Sequence, residues 1–194
     1  MRLFRALSYI CLLVVMPSCC GPYRNHTHLG EEELEWVTNR YIGETMRFQS
    51  QVGIVDTIII TEIDIQNSTD TIDREYYYHN IGDGNYYAGC DVYFSLRGRK
   101  GRDGLNLYKD TNEIVCFWME FLDVLTVGSP LVDTCIQIDS MVLDDILFFE
   151  EKYCEVINRY HHPNPITSLA WSKKYGLVQY TFQDGTVFNR IDLK

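Results

Sequence analysis

The sequence predicts a mainly β fold: a single antiparallel sheet, a sandwich or a curled half-barrel, with one short N-terminal helix. Three observations predict it. Residues 55–65 alternate, with Val55, Thr57, Ile59, Thr61, Ile63 and Ile65 forming a β-branched face; Ile54, Asp56, Ile58, Ile60, Glu62 and Asp64 form a mixed one. Further short candidate strands cover residues 75–79, 88–96, 113–122, 134–139 and 142–150. Turn-rich segments at 82–85, 98–104, 127–130 and 162–165 separate them. Near the end, Asp184-Gly185 joins two apolar runs as a hairpin turn would.

In chain order, residues 1–18 read as a signal peptide. Arg2 and Arg5 precede an apolar run over 6–16, and Pro17-Ser18 follows. The run is too short to span a bilayer as a stable helix. Met16-Pro17-Ser18-Cys19 resembles the lipobox of bacterial lipoproteins. Ser18 and Cys19 match that pattern, Met16 stands in for the usual Leu, and Pro17 departs from it. An anchor at Cys20 would put Cys19 at −1 and fits less well. The resemblance implies a lipidated Cys19 and a place in the cell envelope, the outer membrane ahead of the inner. It implies no activity.

Residues 19–30 read as a tether, rich in Gly, Pro and Asn and without apolar period, reaching about 40 Å if extended. His26 and His28 would share a face there, but two histidines on a tether make a poor ligand set, and neither a metal nor a cofactor is expected. A short helix is predicted over 31–41. Leu34, Val37 and Tyr41 share a face, and Glu31, Glu32 and Glu33 complement the positive end of the helix dipole. Residues 31–194 form one β-rich domain. Within it, 114–122 is apolar on both faces except at Glu120, as in a central strand. The Asp184-Gly185 turn, taken as a two-residue loop, pairs Phe182 with Val187 and Tyr180 with Asn189. Val178, Tyr180, Phe182, Val187 and Ile191 then form the core side.

The C-terminal third also resembles small β-rich envelope lipoproteins of Gram-negative bacteria. A strand, then Lys173-Lys174-Tyr175-Gly176 (a K-x-Y-G pattern) leading a hydrophobic strand, then the Asp-Gly turn and a last strand follow the order seen in them. Most members have no assigned activity, so the resemblance implies a fold class more than a function.

Removing 18 of the 194 residues leaves 176, enough for one domain with a core of its own. The signal takes two arginines and no acid with it, so the net charge moves from −10 to −12. That surface argues against nucleic acid as a partner, and attachment to an anionic bilayer would have to come from the lipid. Export permits disulfides. Cys20, Cys90, Cys116, Cys135 and Cys154 remain, and the four in the domain allow three pairings among which the sequence does not choose.

Tyr76, Tyr78, His79, Tyr86 and Tyr87, flanking the loop 82–85, form a candidate ligand rim, since tyrosines stack on sugars and apolar rings while keeping a polar tip. Tyrosine also simply favours strands. Arg97, Arg99, Lys100 and Arg102 form a candidate anion-binding loop in an acidic chain, or a solvated hairpin tip. Asp70-Thr71-Ile72 resembles an O-glycosylation sequon of anaerobic Gram-negative envelopes, which implies Thr71 as acceptor. No metalloprotease, serine hydrolase, P-loop or dinucleotide-binding motif occurs, and neither Asp144-Asp145 nor Glu150-Glu151 can put two carboxylates on one strand face. An enzyme is therefore not expected. The sequence favours an envelope-anchored binding or structural accessory module, with an envelope protein or glycan as partner. One rival is a half-barrel carrier of an apolar ligand. Another is a hydrolase built on His79, or on Cys154 beside His161 or His162.

Overall fold

The computed structural model describes residues 25–67, 85–96, 103–128, 130–159 and 161–193. Among these, one short helix, α1 (Glu31–Thr38), lies between β1 (Asn25–His26) and β2 (Thr45–Ser50). Then follow β3 (Val55–Gln66), β4 (Asn85–Tyr86), β5 (Gly89–Leu96), β6 (Gly104–Lys109), β7 (Val115–Phe121) and β8 (Val124–Gly128). The chain closes with β9 (Leu131–Ile138), β10 (Met141–Glu150), β11 (Cys154–Asn158), β12 (Ile166–Ser172), β13 (Gly176–Phe182) and β14 (Val187–Arg190). Twelve of these strands make one antiparallel sheet in the order β11-β8-β7-β6-β5-β3-β2-β14-β13-β12-β10-β9, while β1 and β4 form a small parallel pair.

The sheet curls into a half-barrel, and aromatic contacts across its inner face show how tightly. Phe94 on β5 stacks on Trp171 of β12 with ring centroids 6.4 Å apart, although four strands separate them in the sheet. Phe121 on β7 meets Tyr180 of β13 edge-on at 5.1 Å. Strands so far apart in order can touch only if the sheet folds over its own inner face. Fully buried Phe48, Phe94, Phe121, Phe149, Trp171 and Tyr180 fill that space. A second cluster, built on Ile138, Leu143, Ile146, Ala170 and Val178, covers the outer face of β9, β10, β12 and β13.

The helix sits against the inner core. Its Glu33 carboxylate accepts from the Gly30 N–H at 2.6 Å, which caps the first turn. Trp36 and Val37 are buried; Trp36 meets Phe117 edge-on at 5.9 Å, and its carbonyl accepts from the Trp171 indole N–H at 3.1 Å. The helix ends at Thr38, three residues before the predicted end, so Tyr41 leaves the apolar face and is 65% exposed. Residues 25–30 do not behave as the end of a tether. Asn25–His26 pairs with Asn85–Tyr86, Leu29 is buried, and the Asn67 side chain bonds both the N–H and the carbonyl of Leu29, at 2.8 and 2.9 Å. Leu29 docks together with Thr27, which is also buried and whose hydroxyl donates to the Lys109 carbonyl at 3.0 Å and accepts from the Ala88 N–H at 2.8 Å.

On β3 the mixed face goes inward as far as Ile60: Asp56, Ile58 and Ile60 are buried, and Asp56 accepts from the Tyr180 hydroxyl at 2.8 Å. A register shift between Ile60 and Glu62 turns Glu62 and Asp64 outward beyond it. One further expectation is corrected. The C-terminal hairpin is shifted by one residue, pairing Tyr180 with Phe188 and Thr181 with Val187. Its loop has three residues, Gln183-Asp184-Gly185. Only Gly185 takes a positive φ (85°), the Gly185 N–H donates to the Phe182 carbonyl, and Asp184 accepts from the Thr186 N–H at 2.8 Å. Phe188 therefore lies in the core, stacked on Tyr180 at 4.8 Å, while Ile191 is 42% exposed. A register shift between β12 and β13 likewise moves Val178 off the face of Tyr180 into the second cluster.

A buried charge cluster ties α1 and β2 to the far strands. Glu44 Oε1 bridges Arg40 at 2.6 Å and Arg190 at 3.5 Å, each side chain under a tenth exposed. Arg40 also donates to the Lys174 carbonyl and Arg190 to that of Tyr175, so both guanidiniums grip the β12–β13 turn.

Candidate outer-face groove

On β5, β6 and β7, alternation sends Cys90, Val92, Phe94, Leu105, Leu107, Phe117, Met119 and Phe121 inward. What remains faces out in three adjacent rows. Gln66, Gly89, Tyr108 and Cys116 make the first; Asp64, Asp91, Asn106, Trp118 and Val127 the second; Glu62, Tyr93, Gly104, Glu120 and Leu125 the third. Most of this face is half-buried, because large side chains stand beside small ones. Gly89 has no side chain beside Tyr108. Gly104 has none because a Cβ there would meet the Val92 carbonyl oxygen at 2.6 Å, with the Tyr93 ring at 3.2 Å.

Two hollows result, and Trp118, 39% exposed, stands between them. The first, about 350 Å³, is lined by Gln66, Tyr87, Gly89, Asp91, Asn106, Leu107, Tyr108 and Trp118. The second, about 380 Å³, is lined by Tyr93, Asn106, Trp118, Glu120, Leu125, Val127 and Arg159. Tyr108 meets Trp118 edge-on at 5.3 Å, which fixes both rings. Arg159 Nη1 donates to both Glu120 oxygens at 3.3 Å. The Tyr93 hydroxyl donates to Asp91 at 3.4 Å, and the Gln66 amide to Asp64 at 3.0 Å.

Burial, reinforced by the facing Asp64, pushes the Asp91 carboxyl up to about 6. Burial also raises the Tyr108 phenol, which keeps that ring neutral. The first hollow thus combines three aromatic rings with one carboxylate; the second combines aromatic and aliphatic walls with an ion pair.

Of the predicted rim, Tyr87 lines the groove, and Tyr86 is described by its backbone alone, in β4. Cys19, Cys20, Thr71, Tyr76, Tyr78, His79, Arg97, Arg99, Lys100 and Arg102 lie outside the described residues. Cys90, Cys116, Cys135 and Cys154 form no disulfide with one another. Burial pushes the Cys90 thiol up to about 12 and raises that of Cys154, so neither is activated as a thiolate. Cys154 opens β11, while His161 and His162 follow its far end and are exposed, so the thiol and the imidazoles are not brought together. Groove residues that the sequence reading did not single out include Gln66, Asn106, Tyr108, Trp118 and Arg159. For Asn106, Tyr108 and Trp118 the signal is the outward half of the alternation on β6 and β7, visible only once inside and outside are known.

No family model, curated protein or solved structure matches this chain.

Proposed function

We propose that this protein is an envelope-anchored binding module whose outer-face groove takes a glycan segment. One observation carries the reading: two hollows of similar size flank one exposed tryptophan and share Asn106. Sugar rings offer an apolar face that stacks on indole and phenol, and an equatorial rim of hydroxyls that needs donors and acceptors. Tyr87, Tyr108, Trp118 and Tyr93 supply the faces; Gln66, Asp91, Asn106, Glu120 and Arg159 supply the polar groups. Two hollows suit two consecutive sugar units with Trp118 between them. The lipobox-like Met16-Pro17-Ser18-Cys19 supports a lipid anchor at Cys19 and an outer-membrane place for the module.

The rival readings have less to rest on. An apolar cargo would need room on the inner face, which is packed with large side chains from both ends of the sheet. A thiol hydrolase would need Cys154 beside an imidazole, and β11 separates them. The test is a glycan-array screen with wild type and Trp118→Ala. Wild type binds a subset of oligosaccharides, and Trp118→Ala loses at least tenfold in affinity with its melting temperature nearly unchanged, because the indole adds little to the core. Equal binding by both proteins would sink the groove as the site.

A further inference from the structure

We infer that the first hollow takes a cationic, ammonium-bearing group, with Asp91 as its counter-charge, so that the preferred glycan carries a free amino sugar. The inference rests on the groove reading above and adds the charge class of the ligand. Three π systems, from Tyr87, Tyr108 and Trp118, line one hollow of about 350 Å³. The face of an aromatic ring is the negative end of its quadrupole, and several rings around one space hold ammonium groups well. A neutral sugar needs only one or two such faces.

The electrostatics of the wall point the same way. Among the described residues, no lysine or arginine lines this hollow, and the one carboxylate that does, Asp91, is faced across the strand pair by Asp64, with Glu62 nearby. Tyr93 holds the Asp91 carboxylate from the same strand. An anionic sugar placed here would meet only like charge. The second hollow differs, since Arg159 is present but engaged by Glu120, which leaves it balanced. The two ends of the groove therefore ask for different units: a cation at Asp91 and a neutral or zwitterionic unit past Trp118.

The experiment titrates the protein with three tetrasaccharides by calorimetry: β-1,4-linked glucosamine, its N-acetylated counterpart and galacturonic acid. Choline serves as a non-glycan ammonium probe, followed through the Trp118 indole resonance. The inference expects the glucosamine oligomer to bind at least tenfold more tightly than the N-acetylated one at pH 6.5, and the galacturonic oligomer not at all. Choline should shift the indole resonance at millimolar concentration. Asp91→Asn, which keeps the shape, should abolish the choline shift and the tenfold preference, with the loss falling on the glucosamine oligomer. Equal affinity for the amino and N-acetylated oligomers, or a preference that survives in Asp91→Asn, overturns the charge assignment and leaves the glycan groove standing. A choline shift without binding of any oligomer upholds the ammonium site and removes the glycan.

Discussion

Burial and the facing Asp64 hold the Asp91 carboxyl at about 6, against an ordinary 3.8, so the folded protein binds this proton more tightly than the unfolded chain does. The sign is opposite to that of an ion-paired aspartate. The contribution is complete below pH 3.8 and is lost as pH rises to about 6, a difference of at most about 3 kcal/mol that solvent screening of the partly exposed carboxyl reduces. Asp91→Asn should remove that slope. Denaturant melts of the two proteins between pH 4 and 7 are expected to diverge, with wild type losing stability relative to Asp91→Asn as pH rises; parallel curves would mean that Asp91 is solvated. A carboxylate kept in such a position against its own stability fits a residue retained for its charge. Nothing local in the sequence marks Asp91, because the acids that change its chemistry, Asp64 and Glu62, lie on another strand.

At the scale of the element, the C-terminal hairpin separates what local pattern carries from what it does not. The strands and the Asp-Gly turn were legible, but the loop length was not. Asp-Gly fits the middle of a two-residue loop and the end of a three-residue loop about equally well. The one-residue difference decides whether Val187 or Phe188 turns inward. Phe188, 3% exposed and stacked on Tyr180, is the buried one, while Phe182 is only half-buried. Phe188→Ala should therefore cost about 3–5 kcal/mol in urea unfolding and Phe182→Ala distinctly less. A larger loss at Phe182 would restore the two-residue loop. The helix tells a similar story: its acidic first turn and Val37 were readable, but its end and the burial of Trp36 depend on Trp171 and Phe117, far away in sequence.

For the whole molecule, the mainly β class was legible because alternation and turns are local. The curl was one of several options, since it depends on contacts such as Phe94 with Trp171 that no local pattern encodes. The half-barrel is clasped at one end by Arg40, Glu44 and Arg190. Glu44→Gln leaves two buried guanidiniums without their shared carboxylate and should cost about 3–5 kcal/mol by equilibrium unfolding; a neutral effect would show the clasp to be solvated. Docking of residues 25–30 leaves six residues, 19–24, between Cys19 and the folded domain, a reach of about 20 Å in place of 40 Å. Cells expressing Cys19→Ser should then release a folded protein that no longer labels with fatty acid or sediments with membranes; retention of both would remove the anchor. Everything proposed for the groove depends on the position of the binding face. Hydrogen–deuterium exchange with and without the tightest-binding oligosaccharide tests it most directly: protection is expected at residues 87–91, 104–109 and 115–121, and protection confined to β9, β10 and β12, with none at β5–β7, would contradict it.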